Sequence, residues 1–176
     1  MTMSLPMCAI DFTNDAMGPE EAAIAQRITE LKEQMGEDLI ILGHHYQRDS
    51  IVMHADFLGD SFMLSQKAAE SSAKYIVFCG VHFMAESADI LTEDNQVVIL
   101  PNLRAGCSMA DMANLEDVTK CWNEIIGNTE LMDPINRENP DSPCPENENY
   151  LIPVTYMNSS AALKSFVGEH GGRLSG

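Results

Sequence analysis

The residues best suited to chemistry in this sequence fall into four short clusters, each of which follows an apolar run. The clusters supply imidazole, phenol, thiol and carboxamide groups, which can exchange protons, hydrogen-bond a polar substrate or ligate a metal. Their sequences are His44-His45-Tyr46, Gly80-Val81-His82, Gly106-Cys107-Ser108 and Tyr156-Met157-Asn158.

The apolar runs ahead of these clusters predict the elements that position them. Each run has the length and composition of a buried parallel strand, and helical patterns lie between the runs. We therefore predict an α/β fold, with a parallel sheet of about four strands and helices on both faces. Ligands bind at the C-terminal edge of such a sheet, so the four clusters should share one rim. The predicted strands are Asp38 to Leu42, Lys74 to Cys79, Gln96 to Leu100 and Leu151 to Thr155.

Prolines, glycines and helix-capping residues divide the chain into four parts. Residues 1–18 form an N-terminal tail, 19–126 an α/β domain, 127–150 a Pro/Asn-rich loop or disordered insertion, and 151–176 a strand and helix that continue the fold. No strand is expected after the last helix, so the α/β unit looks truncated. Helices are predicted over Pro19–Met35, Asp49–Phe57, Phe62–Ser71, Val81–Leu91, within Ser108–Ile126 as one or two helices, and over Ala161–Val167.

Composition excludes several classes of protein. A formal net charge of −17 would repel nucleic acid, and the chain has no basic segment that would bind it. The sequence contains neither a secretory signal pattern nor an apolar run long enough to span a bilayer. Five cysteines, an odd number without regular spacing, argue against a disulfide framework. We expect a cytoplasmic protein with no nucleic-acid or membrane partner.

Spacing within the clusters is compatible with a shared pocket. His44 and Tyr46 are two residues apart at a strand end, so their side chains should leave the same face, as should those of Tyr156 and Asn158. Polar residues that merely end a strand, without any role in a pocket, have the same spacing. Ser61 follows Gly59-Asp60 at a predicted helix start, where backbone N–H groups favour a phosphate, although serine at such positions is also common for structural reasons.

Cys107 is the thiol best placed to ligate a metal, because it follows Gly106 at a predicted helix start, a position that favours the thiolate. Cys79 and Cys121 lie in apolar or helical surroundings that predict packing roles, and Cys8 and Cys144 receive no role. The chain has no CxxC pair, so a closed zinc site is not expected. A cluster of His and Asp residues could also be considered for metal, but nothing in their spacing fixes one geometry; its members are His44, His45, His54, Asp56 and Asp60.

Five strings, in order, resemble the quinolinate synthase A family. The resemblance covers roughly residues 20 to 168 and is to the first of the family's three similar domains. It implies a transferase that condenses iminoaspartate with dihydroxyacetone phosphate to quinolinate in NAD biosynthesis. It also implies a 4Fe-4S cluster that acts as a Lewis acid and is held by three cysteines, one from each domain. The strings are GHHYQ, GDSFMLS, FCGVHFMAESADIL, LPNLRAGCSMAD and VTYMNSSAALK.

The same resemblance implies roles for individual residues. Cys107 is similar to the first cluster ligand, His44 to a catalytic, substrate-binding histidine, and Tyr46 to a tyrosine that moves protons. An L-aspartate oxidase or dehydrogenase that supplies iminoaspartate is the implied partner enzyme. The implied substrate-binding residues are His44, Ser61, Tyr156, Met157 and Asn158.

The chain departs from the family pattern after Gly171-Gly172. There the resemblance implies a further strand and later two more cysteines, whereas this sequence reads Arg173-Leu174-Ser175-Gly176. Two other interpretations therefore stay open beside the enzyme. One is an inactive truncated remnant. The other is a flavodoxin-like module that binds a small phosphorylated ligand without catalysing a reaction.

Overall fold

A four-stranded parallel sheet forms the centre of the fold. The computed structural model describes residues 18–137 and 148–175. The strands are β1 (Leu39–His44), β2 (Phe57–Gly59), β3 (Tyr75–Cys79) and β4 (Val97–Ile99), in the order β2-β1-β3-β4. The chain moves to one side of β1 and then to the other, so the strand order reverses between β1 and β3. In open parallel sheets such a reversal leaves a crevice at the C-terminal strand edge. The predicted α/β class with a four-stranded parallel sheet is confirmed.

Six α-helices occur in the part of the chain that the structure describes. The first, α1, begins with a proline and has Glu20 and Glu21 in its first turn, and it ends at Gly36, which adopts a positive φ of 53°. None of the described helices is both long and apolar enough to cross a membrane. The helices are α1 (Pro19–Met35), α2 (Asp49–Val52), α3 (Ser61–Glu70), α4 (His82–Leu91), α5 (Leu115–Asn128) and α6 (Ala161–Glu169).

The main core lies between the sheet and helices α3 and α4. Leu42, Ile76 and Phe78 of β1 and β3 are fully buried against Leu64 of α3 and Phe83 of α4. Each such side chain contributes about 1.5–3 kcal/mol on burial, so this core rigidly fixes the strand ends that follow it.

A second, smaller unit follows the main sheet. Strand β5 (Val154–Tyr156) pairs in parallel with β6 (Arg173–Ser175), and α6 connects them. Trp122 of α5 packs with Phe166 and Val167 of α6 in a separate core. Gly172 allows the close return into β6, because a Cβ there would lie 2.2 Å from the Pro153 carbonyl oxygen.

Two strand predictions in this unit are wrong. The run Leu151 to Thr155 does not join the main sheet; its strand is Val154–Tyr156, in the two-stranded sheet. A strand does follow the last helix, because Arg173–Ser175 finds its partner in β5. The sequence around it has a single large apolar residue, Leu174, and gives no alternating pattern that would indicate a strand.

The helix predicted over Asp49–Phe57 is also wrong in its second half. It stops at Val52, and Phe57–Gly59 becomes strand β2 instead. Asp56 explains the change, because its carboxylate accepts a hydrogen bond from the Ile41 N–H (2.8 Å) and its own N–H donates to the Ile41 carbonyl (2.8 Å). These bonds bring the chain alongside β1, where it can form a ladder.

The predicted loop over 127–150 is partly ordered where the structure describes it. Helix α5 extends to Asn128, a 3₁₀ turn covers Pro134–Asn136, and Met132 forms an isolated parallel bridge with Tyr150. The rest of the predicted insertion, including Cys144, and most of the predicted N-terminal tail, including Cys8, lie outside the described residues.

Candidate functional site

Three aromatic rings stack at the C-terminal end of β1. His44 is the last residue of the strand, and its ring centroid lies 3.9 Å from that of Tyr46 and 4.2 Å from that of His45. His44 is 6% exposed and Tyr46 is 53% exposed, so the stack runs from the interior to the surface. The structure therefore brings His44 and Tyr46 together, as their spacing predicts, at the place where the strand order reverses.

The environment of His44 favours a neutral imidazole. Burial lowers the pKa of His44, the neighbouring His45 lowers it further, and the Asp60 carboxylate opposes both. The Nδ1 atom of His44 is buried without a hydrogen-bond partner in the described residues. Buried polar atoms are almost always paired, so this one is available to a bound ligand.

Asp60 and Ser61 form the start of α3 beside this stack. The Asp60 carboxylate caps the helix by accepting from the Met63 N–H at 2.8 Å. Ser61, the first helical residue, is buried. The helix predicted over Phe62–Ser71 is thus confirmed with a small shift, and Asp60 is its cap.

Cys107 lies in a turn and not at the start of an α-helix, so the prediction of its position is wrong. The first α-helix after it begins only at Leu115, and a 3₁₀ turn at Ala110–Met112 comes between. Cys107 therefore does not occupy the helix N-terminus on which its predicted thiolate character rested. The turn is closed by a hydrogen bond from the Asp111 N–H to the Cys107 carbonyl (2.9 Å).

The Cys107 side chain nevertheless lies among the other candidate residues. It is half-buried, and the Asn158 Nδ2 atom is 3.8 Å from its sulfur. Burial raises the pKa of the Tyr46 phenol, and a Cys107 thiolate raises it further, which reflects their proximity. The thiol, the phenol and the carboxamide thus form one group.

The segment after β5 reaches the main sheet from the second unit. Met157 packs against the main core, and Asn158 points its Nδ2 atom towards the sulfurs of Cys107 and of Met109, the latter at 4.0 Å. Tyr156 is largely exposed at the end of β5. Members of three of the four predicted clusters therefore meet, although two sheets supply them and not one.

Met109 is a neighbour of the site that the sequence analysis missed. It lies two residues after Cys107 on the same turn, and its sulfur contacts Asn158. The chain contains 12 methionines, so the residue type alone gives no signal.

The other candidate residues have separate positions. His82 begins α4 and lies exposed near Glu86. His54 is buried, and its neighbour Asp56 forms an ion pair with Lys32 at 2.7 Å. No group of three or more His, Cys, Asp or Glu residues that could hold a metal ion occurs in residues 18–137 and 148–175.

The described residues do not by themselves form a site for an iron-sulfur cluster. Such clusters are held by several cysteine thiolates, and here Cys107 is a single half-exposed thiol. Burial raises the pKa of Cys79, which disfavours its thiolate, and Cys121 lies exposed on α5. A shallow groove of about 930 Å³ along α5 contains none of the candidate residues, since it is lined by Leu115, Glu116, Thr119, Lys120, Asn123, Glu124 and Asn128.

Comparison with known proteins agrees with the strings found at this rim. The family model for the quinolinate synthetase A protein, NadA, matches residues 26–170. The quinolinate synthase of Herpetosiphon aurantiacus is 52% identical over 158 residues, which are 90% of this chain and 38% of that protein. The quinolinate synthase of Corynebacterium glutamicum is 55% identical over 148 residues, which are 84% of this chain and 33% of that protein.

A third relative is matched over similar shares of the two chains. The quinolinate synthase of Listeria innocua is 51% identical over 150 residues, which are 83% of this chain and 35% of that protein. The chain thus spans about a third of the length of the relatives it matches. The match to the family model and the high identities over most of its length show that this chain belongs to the quinolinate synthetase A family.

Proposed function

We propose that this chain provides substrate-binding and proton-transfer groups of a cytoplasmic quinolinate synthase, which condenses iminoaspartate with dihydroxyacetone phosphate to quinolinate for NAD biosynthesis. An L-aspartate oxidase or dehydrogenase would supply the iminoaspartate. The observation that carries the proposal is the stack of His44 and Tyr46 beside the Cys107–Asn158 pair. The relatives named quinolinate synthase support it.

His44 would bind the substrate as a neutral imidazole. Its lowered pKa leaves it uncharged at neutral pH, and its unpartnered Nδ1 can donate a hydrogen bond to a carbonyl or carboxylate oxygen. A partly buried site strengthens such a bond, because little water competes for it.

Tyr46 would act as the general acid and base of the condensation. A tyrosine phenol keeps its proton at neutral pH, so it can donate that proton to an oxygen of the triose and later accept one back. Its exposed position over the buried His44 ring would let a substrate reach both side chains.

The remaining residues would bind the charged ends of the substrates. Ser61 begins α3, where a hydroxyl and backbone N–H groups favour the phosphate of dihydroxyacetone phosphate. The adjacent Asp60 carboxylate would repel an anion at this position, so the Ser61 hydroxyl and the backbone N–H groups have to attract the phosphate more strongly than Asp60 repels it. Tyr156, Met157 and Asn158 would contact the dicarboxylate from the opposite side of the rim.

Cys107 would be one ligand of a 4Fe-4S cluster in a full-length protein. Among the described residues, Cys107 is the thiol that contacts another candidate residue and no metal-binding group forms around it, so the other two ligands would come from elsewhere in such a protein.

A chimera tests the proposal. The 148 matched residues of this chain would replace their counterpart in the Corynebacterium glutamicum protein, and quinolinate would be measured by anaerobic chromatographic assay. We expect activity within about tenfold of the parent, a factor that corresponds to about 1.4 kcal/mol of barrier. Introducing Tyr46→Phe into the chimera should lower turnover by about a hundredfold or more, the usual cost of losing a general acid or base.

The matched control is Tyr75→Phe. Tyr75 begins β3, at the opposite edge of the sheet, so its loss of a hydroxyl should leave turnover unchanged. A chimera that folds and carries the iron content of the parent, yet makes no quinolinate, would refute the proposal. Tight binding of dihydroxyacetone phosphate by such an inactive protein would instead favour the module that binds a phosphorylated ligand without chemistry.

A further inference from the structure

Helix α4 contacts both of the chain segments that meet at the candidate site. Its first residue, His82, donates its backbone N–H to the Ala105 carbonyl at 2.8 Å, two residues before Cys107. In its middle, the Glu86 carboxylate accepts a hydrogen bond from the Ala161 N–H at 3.1 Å, three residues after Asn158. One helix thus connects the turn that holds the thiol with the segment that holds the carboxamide.

Lys164 of α6 provides a second connection to α4. Its ammonium donates to the Ser87 hydroxyl (3.1 Å) and to the Ser159 carbonyl (2.7 Å), and it lies 5.2 Å from the centre of the Phe83 ring. Ser87 and Ser159 are 7% and 3% exposed, so these bonds form largely away from water. A charged donor in such surroundings holds its acceptors in one geometry, because losing them would leave a charge without compensation.

Apart from Met157, which packs against the main core, the segment from Tyr156 to Ser160 is held together by its own hydrogen bonds. Internally it is closed by a hydrogen bond from the Ser159 hydroxyl to the Tyr156 carbonyl (2.7 Å). Ser160 caps α6, since its hydroxyl accepts from the Leu163 N–H (3.3 Å). The segment is therefore a compact turn, and Glu86 and Lys164 fix where that turn lies relative to α4.

We propose that Glu86 and Lys164 are positioning residues that hold the Asn158 carboxamide against the Cys107 thiol. Both act through the backbone of residues 159–161. The positioning is inferred from these contacts alone. That the positioned residues belong to a reaction site rests on the proposed function. Both residues fall within the strings FCGVHFMAESADIL and VTYMNSSAALK, to which the sequence analysis assigned no positioning role.

The accessibility of the Cys107 sulfur gives a direct test on the 176-residue chain. The reduced protein would be exposed briefly to iodoacetamide, and peptide mass mapping would give a rate for each cysteine. In Glu86→Ala and in Lys164→Met, the Asn158 segment should detach, and Cys107 should react at least about fivefold faster, as expected for local opening. Cys79 and Cys121 are internal references, and their rates should not change.

Conservative variants separate positioning from general loss of structure. Glu86→Gln keeps an oxygen that accepts from the Ala161 N–H, and Lys164→Arg keeps a charged donor, so both should retain the slow rate at Cys107. The Lys67–Glu70 ion pair on α3 supplies the matched control, since it joins the same residue types at 2.7 Å on an exposed helix face. Lys67→Met and Glu70→Ala should leave all three rates unchanged.

An unchanged Cys107 rate in folded Glu86→Ala and Lys164→Met would overturn the inference. If both variants unfold, Cys79 will also react rapidly, and Ser87→Ala then decides. That substitution removes one hydrogen-bond acceptor of Lys164 and places alanine, a good helix former, in α4. If Cys107 reacts faster while Cys79 and Cys121 do not, the inference is supported. If the rate at Cys107 does not change, the inference is overturned. These rates do not depend on catalysis, so a chimera without activity would refute the proposed function and leave the positioning result standing.

Discussion

The Asp133 carboxylate joins three parts of the second unit, and its removal should be costly. Its Oδ2 accepts from the Trp122 indole N–H at 2.8 Å. Its Oδ1 accepts from the Ile135 N–H at 3.0 Å and lies 2.6 Å from the His170 Nδ1. The Asp133 and His170 side chains are only 10% and 11% exposed, so water can replace little of this bonding.

Asp133→Asn is the sharpest perturbation, because it keeps the shape and changes only charge and hydrogen bonding. One carboxylate oxygen becomes an NH₂ group that faces a donor, which leaves that donor unpaired at a cost of about 1–3 kcal/mol. Loss of the charge weakens the remaining bonds as well, so we expect the free energy of unfolding to fall by about 2–4 kcal/mol. For a chain of this size the melting temperature should fall by about 5–15 °C.

Urea denaturation followed by tryptophan fluorescence measures the effect directly. Trp122 is the single tryptophan of the chain and lies in the affected core. Asp89→Asn, an exposed substitution on α4, is the control and should change the free energy of unfolding by no more than about 0.5 kcal/mol. If Asp133→Asn is as stable as this control, the carboxylate does not stabilise the second unit and the reasoning fails.

The pH dependence gives an independent check with a definite sign. Burial opposes ionisation of Asp133, but hydrogen bonds from Trp122, His170 and Ile135, together with the charge of His170, hold its pKa below the ordinary value. The carboxylate therefore stabilises the fold above the unfolded-state pKa of about 3.9, and this stabilisation is lost as the pH falls through the folded-state pKa. The difference between wild type and Asp133→Asn should shrink below about pH 4. A difference that grows on acidification would contradict this assignment.

Three further predictions concern the thiols and the backbone. Anaerobic reconstitution of this chain alone should yield far fewer than four irons per chain, because one rim thiol provides too few ligands; a stable brown protein with a full complement would refute this. In the chimera, Cys107→Ser should abolish both iron binding and activity, while Cys79→Ala leaves the iron content near normal; a Cys107→Ser protein that keeps both would remove the assignment of that ligand. Gly172→Ala should destabilise the fold by at least about 2 kcal/mol, because the new Cβ would lie 2.2 Å from the Pro153 carbonyl oxygen. Gly127→Ala is the control and should stabilise α5 by about 0.5–1 kcal/mol, because nothing lies within contact distance of its new Cβ. Similar melting temperatures for the two variants would show that the contact at Gly172 relaxes without cost.

Elements with a strong local signal could be predicted from the sequence. Helix α1 has its proline, its acidic first turn and its terminal glycine at the predicted positions, and β3 is an uninterrupted apolar run. Strand β2 could not be predicted in this way. It exists because Asp56 bonds to the backbone of Ile41, a contact 15 residues away that no local pattern encodes.

The same distinction applies to the candidate site. His44 and Tyr46 meet as predicted, although the turn after β1, closed by a hydrogen bond from the Gln47 N–H to the His44 carbonyl (2.9 Å), stacks their rings. Cys107 and Asn158 are 51 residues apart and belong to units with separate cores. The prediction that they meet was correct although its premise of a single sheet was wrong, because α4 binds both the segment before Cys107 and the segment after Asn158.

Because residues from units with two separate cores meet at the candidate site, substitutions in the two cores should affect it in different ways. Substitutions in the main core act on the His44–Tyr46 stack directly, whereas substitutions in the second core act on Asn158 through β5 and β6 and through the bonds of α6 to α4. A loss at Asp133 should therefore lower stability without changing the stacked rings, and a loss at Glu86 should loosen Asn158 without unfolding either core. The distance from Asn158 to Cys107 thus depends on the docking of the two units as much as on the stability of each, and side chains at their junction control it.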